Sequence, residues 1–593
     1  MKHFISILFL SGFAVFGSVA EAQNNPSNPN RLSVNPTVEI ITDYQGKIAE
    51  ANRIGAPFSA DSLTAARPNF SYQSLPPMLN NRFTMQPIPA ARMNIPTNLK
   101  DDKLRYFRGS LSFPLTPDLN FYMNTYFRGN TYFNLYLNHH SFWGKTPLYK
   151  DAPTTINPLP SEIRADNANT RIGAALTHFW DNTAVDIHVA YNNRYHTYYG
   201  HDTLFLKSGA TAGYIDKIFS NKYMKEDMSQ TFHILQTDIS LYSVSRAGNR
   251  TNFKIDGSFN YIKETAHLKT SQSLLGVKAR LNHLINDPHA IDVELGAKAY
   301  NRLGNGSLSD AVLYLAPCYQ YRDNGFSITA GLNLEGVNSN SNFSVNVYPK
   351  IALSYSVTEW FIPYASATGG TQLNNYEKII TENPYILSGT AVANSRHLIN
   401  FQGGIRGNVN PFMAYQLNVG YSVIDSMYFF VNSDNSRLIM PGPPQLLCSN
   451  FQAVHDNVKL LTFGGSLSSK FGSAFEALLR AQYYQYTLTD IDEAWHRPEF
   501  ELGLNLRYRT EKFIFNVNGY FRGETPVQLN SEYDRLTTRT PGYFNLGLMA
   551  EYRISPQISA FAQVSNLLNN NYQQYYLYYN PGITFGGGFS VAF

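Results

Sequence analysis

Apolar and polar residues alternate along much of the chain with a period of two. Phe544, Leu546, Leu548, Ala550 and Tyr552 share one face, and Asn545, Gly547, Met549 and Glu551 the other. Phe500, Leu502, Leu504, Leu506 and Tyr508 oppose Glu501, Gly503, Asn505 and Arg507 in the same way. Next come Phe513, Phe515, Val517, Gly519 and Phe521 against Asn516, Asn518 and Arg522. Upstream, Ile291, Val293, Leu295, Ala297 and Ala299 face away from Asp292, Glu294 and Lys298. A period of two with one apolar face predicts β-strands. These runs exceed the usual length of about five or six residues. They approach the roughly 9–11 that a tilted membrane-spanning strand needs.

Short polar turns punctuate the runs at 180–183, 246–249, 286–289, 322–325, 357–359, 408–411, 471–473, 509–512 and 554–557. Between them lie longer connections at 144–168, 202–228, 376–396, 428–453 and 524–541. Tight turns on one side and long loops on the other is the asymmetry of outer-membrane barrels, periplasmic turns against extracellular loops. Counting from Leu104 to Phe593 predicts about 22 antiparallel strands, with 104–115 and 119–128 read as two strands or one bent one. An even count puts every tight turn on one side and ends the last strand there at Phe593. A terminal aromatic in that place is the expected closure and insertion signal of the barrel.

Composition supports the same architecture. The chain carries 41 Tyr and 39 Phe but only 15% charged residues, and its mean hydropathy is -0.27. Strands that alternate apolar-out and polar-in average to low hydropathy, while aromatics gather at the two interfaces. A large soluble β-protein shares that composition, so the turns carry the distinction. At the N-terminus, Lys2 and His3 precede an apolar run from Phe4 to Val19 and an Ala20-Glu21-Ala22 site, which predicts a secretory signal over residues 1–22. The two cysteines, Cys318 and Cys448, are expected as buried free thiols. A net charge of +4 over 593 residues points to no nucleic-acid partner.

The last 30 residues resemble the TonB-dependent outer-membrane receptors. Val564-Ser565-Asn566-Leu567-Leu568-Asn569-Asn570-Asn571-Tyr572 looks like that family's penultimate strand entering its last loop. Pro581-Gly582-Ile583-Thr584-Phe585, followed by Gly588 and Phe593, looks like its closing strand, with Ile583 where the family commonly has Arg. The Tyr-rich style and the stretch around Asp43-Tyr44-Gln45 are similar to plug-less relatives of Bacteroidetes type. The resemblance implies a barrel over residues 104–593. It also implies a folded plug domain, for which only the 81 residues 23–103 remain, ten of them Pro. Proline removes ladder donors and breaks helices, so 23–103 is expected to be an extended segment, possible filling for the lumen together with inward-folded loops. A barrel of this size needs such filling. Thr37, Val38, Glu39, Ile40 and Ile41 resemble a TonB box, which engages TonB by strand addition; an ordinary β-prone segment reads the same way.

Other candidates are weaker. His139 and His140 are adjacent on a strand, hence on opposite faces, and are expected to serve the interface, not one metal. Asp490, Asp492 and Glu493 have oxygen ligands for Ca²⁺ but no EF-hand spacing. Gly586, Gly587 and Gly588 lie inside the last strand and suit close packing at the seam. No G-x-S-x-G or H-E-x-x-H motif occurs, so no catalytic, cofactor or metal residue is assigned and no enzyme is expected. Two functions stay open. One is transport or reception of a solute across the outer membrane, with TonB as partner. The other is a non-enzymatic scaffold subunit of an assembly or secretion complex, with other barrels or surface lipoproteins as partners. Both place the chain among outer-membrane lipids.

Overall fold

The computed structural model describes residues 105–593 except 128–129, 148–161, 201–227, 245–249, 266–268, 304–307, 340–341, 391, 434–449, 473 and 531–534. The expected signal and the segment 23–103, with Thr37–Ile41 and also Cys448, lie outside the described residues. Twenty-two strands close the barrel, paired antiparallel in chain order, with the short hairpins Lys145–Pro147 with Glu162–Arg164 and Thr525–Asn530 with Arg535–Thr540 lying between consecutive barrel strands. The circuit closes where Arg105–Phe113 pairs with Thr584–Ala592, from Tyr106↔Ala592 to Phe113↔Phe585. The region 104–128 forms two strands, Arg105–Phe113 and Thr116–Phe127.

The seam explains the glycine run. A Cβ on Gly588 would sit 2.0 Å from the Gly109 carbonyl oxygen, and one on Gly586 would sit 2.3 Å from that of Leu111. Only a residue without a Cβ lets the first and last strands approach this closely. Phe593 finishes the ladder. Its N–H donates to the Arg105 carbonyl and its carbonyl accepts from the Arg105 N–H, both at 2.9 Å, while its ring stays exposed.

The alternation resolves into an outer and an inner face. Leu275, Val277, Leu281, Ile291 and Leu295 point outward and are exposed, as a lipid-facing surface requires. Arg280, Asn282 and Asp292, on the same two strands, point inward and are buried. Trp180, Tyr355, Trp360, Phe412, Phe471, Tyr508 and Tyr552 form an exposed aromatic girdle near the short turns.

Candidate functional site

The barrel wall lines its lumen with polar side chains that pair with each other. Arg280 grips Asp292 through Nε at 2.7 Å and Nη2 at 2.5 Å. Glu294 sits between Lys278 at 3.2 Å and Lys350 at 3.9 Å. Near the seam, the Arg108 guanidinium lies 3.7 Å from the centre of the Phe561 ring and 3.8 Å from Glu551. Burial of charge is tolerable only with partners of this kind.

The outer half of the lumen is crossed by the connection between strands Ile362–Gln372 and Ser395–Asn410. Within it lies one short helix, Tyr376–Glu382, capped by Asn375, whose side chain accepts from the Lys378 N–H at 3.1 Å. Tyr376, Ile379 and Ile380 form its buried face. The helix reaches strands far around the barrel. Tyr376 N–H donates to Gln272 at 2.6 Å, and its hydroxyl donates to Glu264 at 2.6 Å. Glu377 accepts from Gln236 at 2.7 Å and also from Asn260. At the other end, Glu382 pairs with Arg497 at 3.2 Å and accepts from Tyr428. Contacts on both sides of the barrel identify the connection as a strap across the opening.

An apolar core seals the strap in place. It joins Tyr376, Ile379, Ile380 and Ile386 to Phe232, Ile234, Ile262, Phe430, Phe451, Tyr575 and Tyr578. Tyr385 stacks on Tyr578 with ring centres 3.6 Å apart. Burial pushes the Tyr385 hydroxyl up to about 12, and those of Tyr199 and Tyr376 well above 10.0.

The strands Met413–Asn432 and Phe451–Phe471 reach 20 and 21 residues and extend into this cap. Ser426 adopts a φ of 56° at the register shift between Ile424 and Met427. There the hairpin changes course, a frequent use of a bulge. Beyond it, Tyr428 and Phe430 enter the strap core, whereas Phe429 and Val431 pack with Val458 and Trp495 in a second cluster. The connection expected at 428–453 is therefore shorter: the strands run on to Asn432 and resume at Phe451.

Other residues singled out from sequence have ordinary surroundings. His139 bonds Thr170 at 2.7 Å and His140 bonds Asp118 at 3.1 Å, on opposite faces as expected. Glu493 pairs with Arg539 at 2.8 Å. Asp456 binds the backbone of Thr489, Asp490 and Ile491 at 2.8–3.3 Å, so that loop's N–H groups are already occupied. Cys318 is buried and free. Among the described residues, no three His, Cys, Asp or Glu side chains gather as metal ligands.

A closed barrel with a lipid-facing apolar band, a polar lumen and a girdle of aromatics is an outer-membrane β-barrel. The chain belongs to the TonB-dependent receptor-like β-barrel family, whose model matches residues 102–567. It is a bacterial outer-membrane protein. No curated protein matches it by sequence. Among solved structures it is similar in fold to the FrpB iron transporter of Neisseria meningitidis (F3-3 variant), with a TM-score of 0.60 and 10% identity over 84% of this chain and 82% of that one. The siderophore receptor PirA of Acinetobacter baumannii gives 0.60 and 11% over 82% and 80%. The ferric enterobactin receptor PfeA of Pseudomonas aeruginosa, as a mutant, gives 0.59 and 13% over 82% and 80%.

Proposed function

We propose that the protein takes up a solute across the outer membrane, with the strap 373–394 as the outer closure of its lumen and residues 23–103 as an extended filling on the periplasmic side. The observation that carries this reading is the strap itself, anchored at Glu264 and Gln236 on one wall and at Tyr428 and Arg497 on the other. A polar lumen closed, among the described residues, by hydrogen bonds, the Glu382–Arg497 ion pair, an isolated bridge from Ile386 to Phe451 and side-chain packing can open with the barrel ladder intact. An obligatory scaffold barrel has no need of a lumen that opens.

Energy for opening is assigned to TonB, acting on Thr37–Ile41 by strand addition. The extended Pro-rich segment offers a pull-out filling in place of a compact plug. Iron and ferric siderophores, named for the three neighbours, are the first cargo class to test. Deleting 36–42 in the otherwise intact chain is expected to abolish uptake of a ferric chelate by iron-starved cells and to leave the barrel folded. Unchanged uptake would overturn the TonB assignment. Stoichiometric capture of other barrels or surface lipoproteins, with no uptake by the intact protein, would favour the scaffold function.

A further inference from the structure

Directly beneath the strap helix, strands Asn167–Phe179 and Thr183–Thr197 turn two arginines and two asparagines toward the lumen. The register sets Asn169 opposite Arg194 and Arg171 opposite Asn192, so the four side chains form one patch. Ile172, Val189 and Tyr191 mark the lipid face of the same strands. Each guanidinium makes one hydrogen bond among the described residues, and that of Arg171 also lies 5.8 Å from the centre of the Tyr136 ring. Arg171 Nη2 donates to Gln236 Oε1 at 3.0 Å, and Arg194 Nη1 donates to Thr381 Oγ1 at 2.7 Å.

What the patch leaves unmade is informative. Among the described residues, the Nε atoms of both arginines are buried and unpartnered, as are the side-chain oxygens of Asn169, Asn192 and Asn260. An arginine carries five N–H donors in a planar fork suited to a carboxylate. Leaving buried donors of a charged group unmet is costly, and here the vacancies of two adjacent residues coincide. Glu377 of the strap is an anion within electrostatic reach of Arg194. It docks on the amides of Gln236 and Asn260 and makes no ion pair with either arginine. Gln236 relays between them with consistent polarity: its oxygen accepts from Arg171 and its nitrogen donates to Glu377 at 2.7 Å.

We propose that Arg171, Arg194, Asn169 and Asn192 form a lumenal site for a hydroxyl-bearing carboxylate, and that Glu377, docked beside it on Gln236 and Asn260, opposes such a ligand by its like charge. The free guanidinium edges take the carboxylate, and the amide oxygens accept from its hydroxyls. Occupation sets a second anion beside Glu377 and frees Gln236 from Arg171, which disfavours the docked strap and couples binding to its release. The site rests on the transport reading above, but it is tested without transport.

The test is calorimetric titration of the purified full-length protein in detergent with galacturonate and trigalacturonate. Their methyl esters keep the hydroxyls and lose the charge, and inorganic phosphate offers the rival anion. Saturable binding of an acid, absent for its ester, is expected. Arg171→Gln and Arg194→Gln should each weaken binding by at least about tenfold, Arg→Lys at either position should restore it only in part, and Glu377→Gln should strengthen it. The shift in gel mobility on heating reports whether each variant is folded. Should both Gln variants misfold, Glu377→Gln and the Lys variants decide. No saturable binding of either acid, equal binding of acid and ester, or binding of phosphate alone would overturn the proposal. Binding without uptake in cells would overturn the transport reading and leave the site standing.

Discussion

Replacing Tyr376 with Phe removes one oxygen from the strap and should loosen it without creating a cavity. The ring keeps its place in the core, beside Phe232. What is lost is the 2.6 Å hydrogen bond from its hydroxyl to Glu264, a carboxyl with no solvent exposure. Glu264 keeps the Thr270 N–H at 2.9 Å, the Gln230 amide at 3.4 Å and the Ser388 hydroxyl. Of its four partners, two belong to the strap and two to the wall, so the substitution removes half of the strap's hold on that carboxyl. A hydrogen bond to a charged group contributes about 1.5–3 kcal/mol. Since each 1.4 kcal/mol is about tenfold, the open population should rise roughly 10- to 150-fold. Hydrogen exchange of the amides in Tyr376–Glu382 measures that local opening directly. Faster exchange confined to the strap and its cap is expected, with the strand ladder unchanged. Tyr415→Phe, which removes a bond to the Trp360 carbonyl near the short turns, serves as control. If exchange in the helix is unaltered, the strap is not held through Glu264 and the reasoning fails. If exchange rises throughout the barrel, the strap is part of the global fold and is no local gate.

Alkali should open the same cap. Tyr199, Tyr376 and Tyr385 have raised native values, Tyr385 at about 12, so above the ordinary 10.0 the closed cap binds more protons than the open one. Its stability is therefore whole below pH 10 and declines from there to about 12. Tyrosinate absorbance should show a late-titrating class that coincides with faster strap exchange; a single class ionising near pH 10 would refute this. At the seam, Gly588→Val places a side chain against the Gly109 carbonyl and should prevent the first and last strands from pairing. Loss of the heat-dependent gel shift would confirm it, and normal assembly would show that the seam can widen.

The wall of the barrel was legible because two solvents impose it. Lipid on one side and a polar lumen on the other force each strand to alternate, as in Ile291 to Ala299, and short turns fix the register. The alternation stops where the bilayer stops. From Tyr428 to Val431 four consecutive residues are buried, with Tyr428 and Phe430 on one core and Phe429 and Val431 on another. A strand buried on both faces reads as a continuous apolar run, and beside a Pro-rich stretch that run looks like loop. The strap helix is seven residues long, too short to establish a period of 3.6. Its one local signal is Asn375 ahead of Glu377 and Lys378, the composition of a helix start.

The arginine patch was hidden for a different reason. Arg171 and Arg194 are 23 positions apart, and each alone is an unremarkable inward residue on an alternating strand. Only the pairing of Asn169 with Arg194 makes them neighbours. Glu377 joins them from a connection that begins nearly two hundred residues later, across the lumen. The ladder is made by backbone groups, so sequence periodicity specifies the outward face closely and the inward one only as polar and mutually partnered. The fold can therefore be read from the residues that face lipid. The specificity has to be read from the residues that face the lumen, and these acquire meaning only once register and strap are in place.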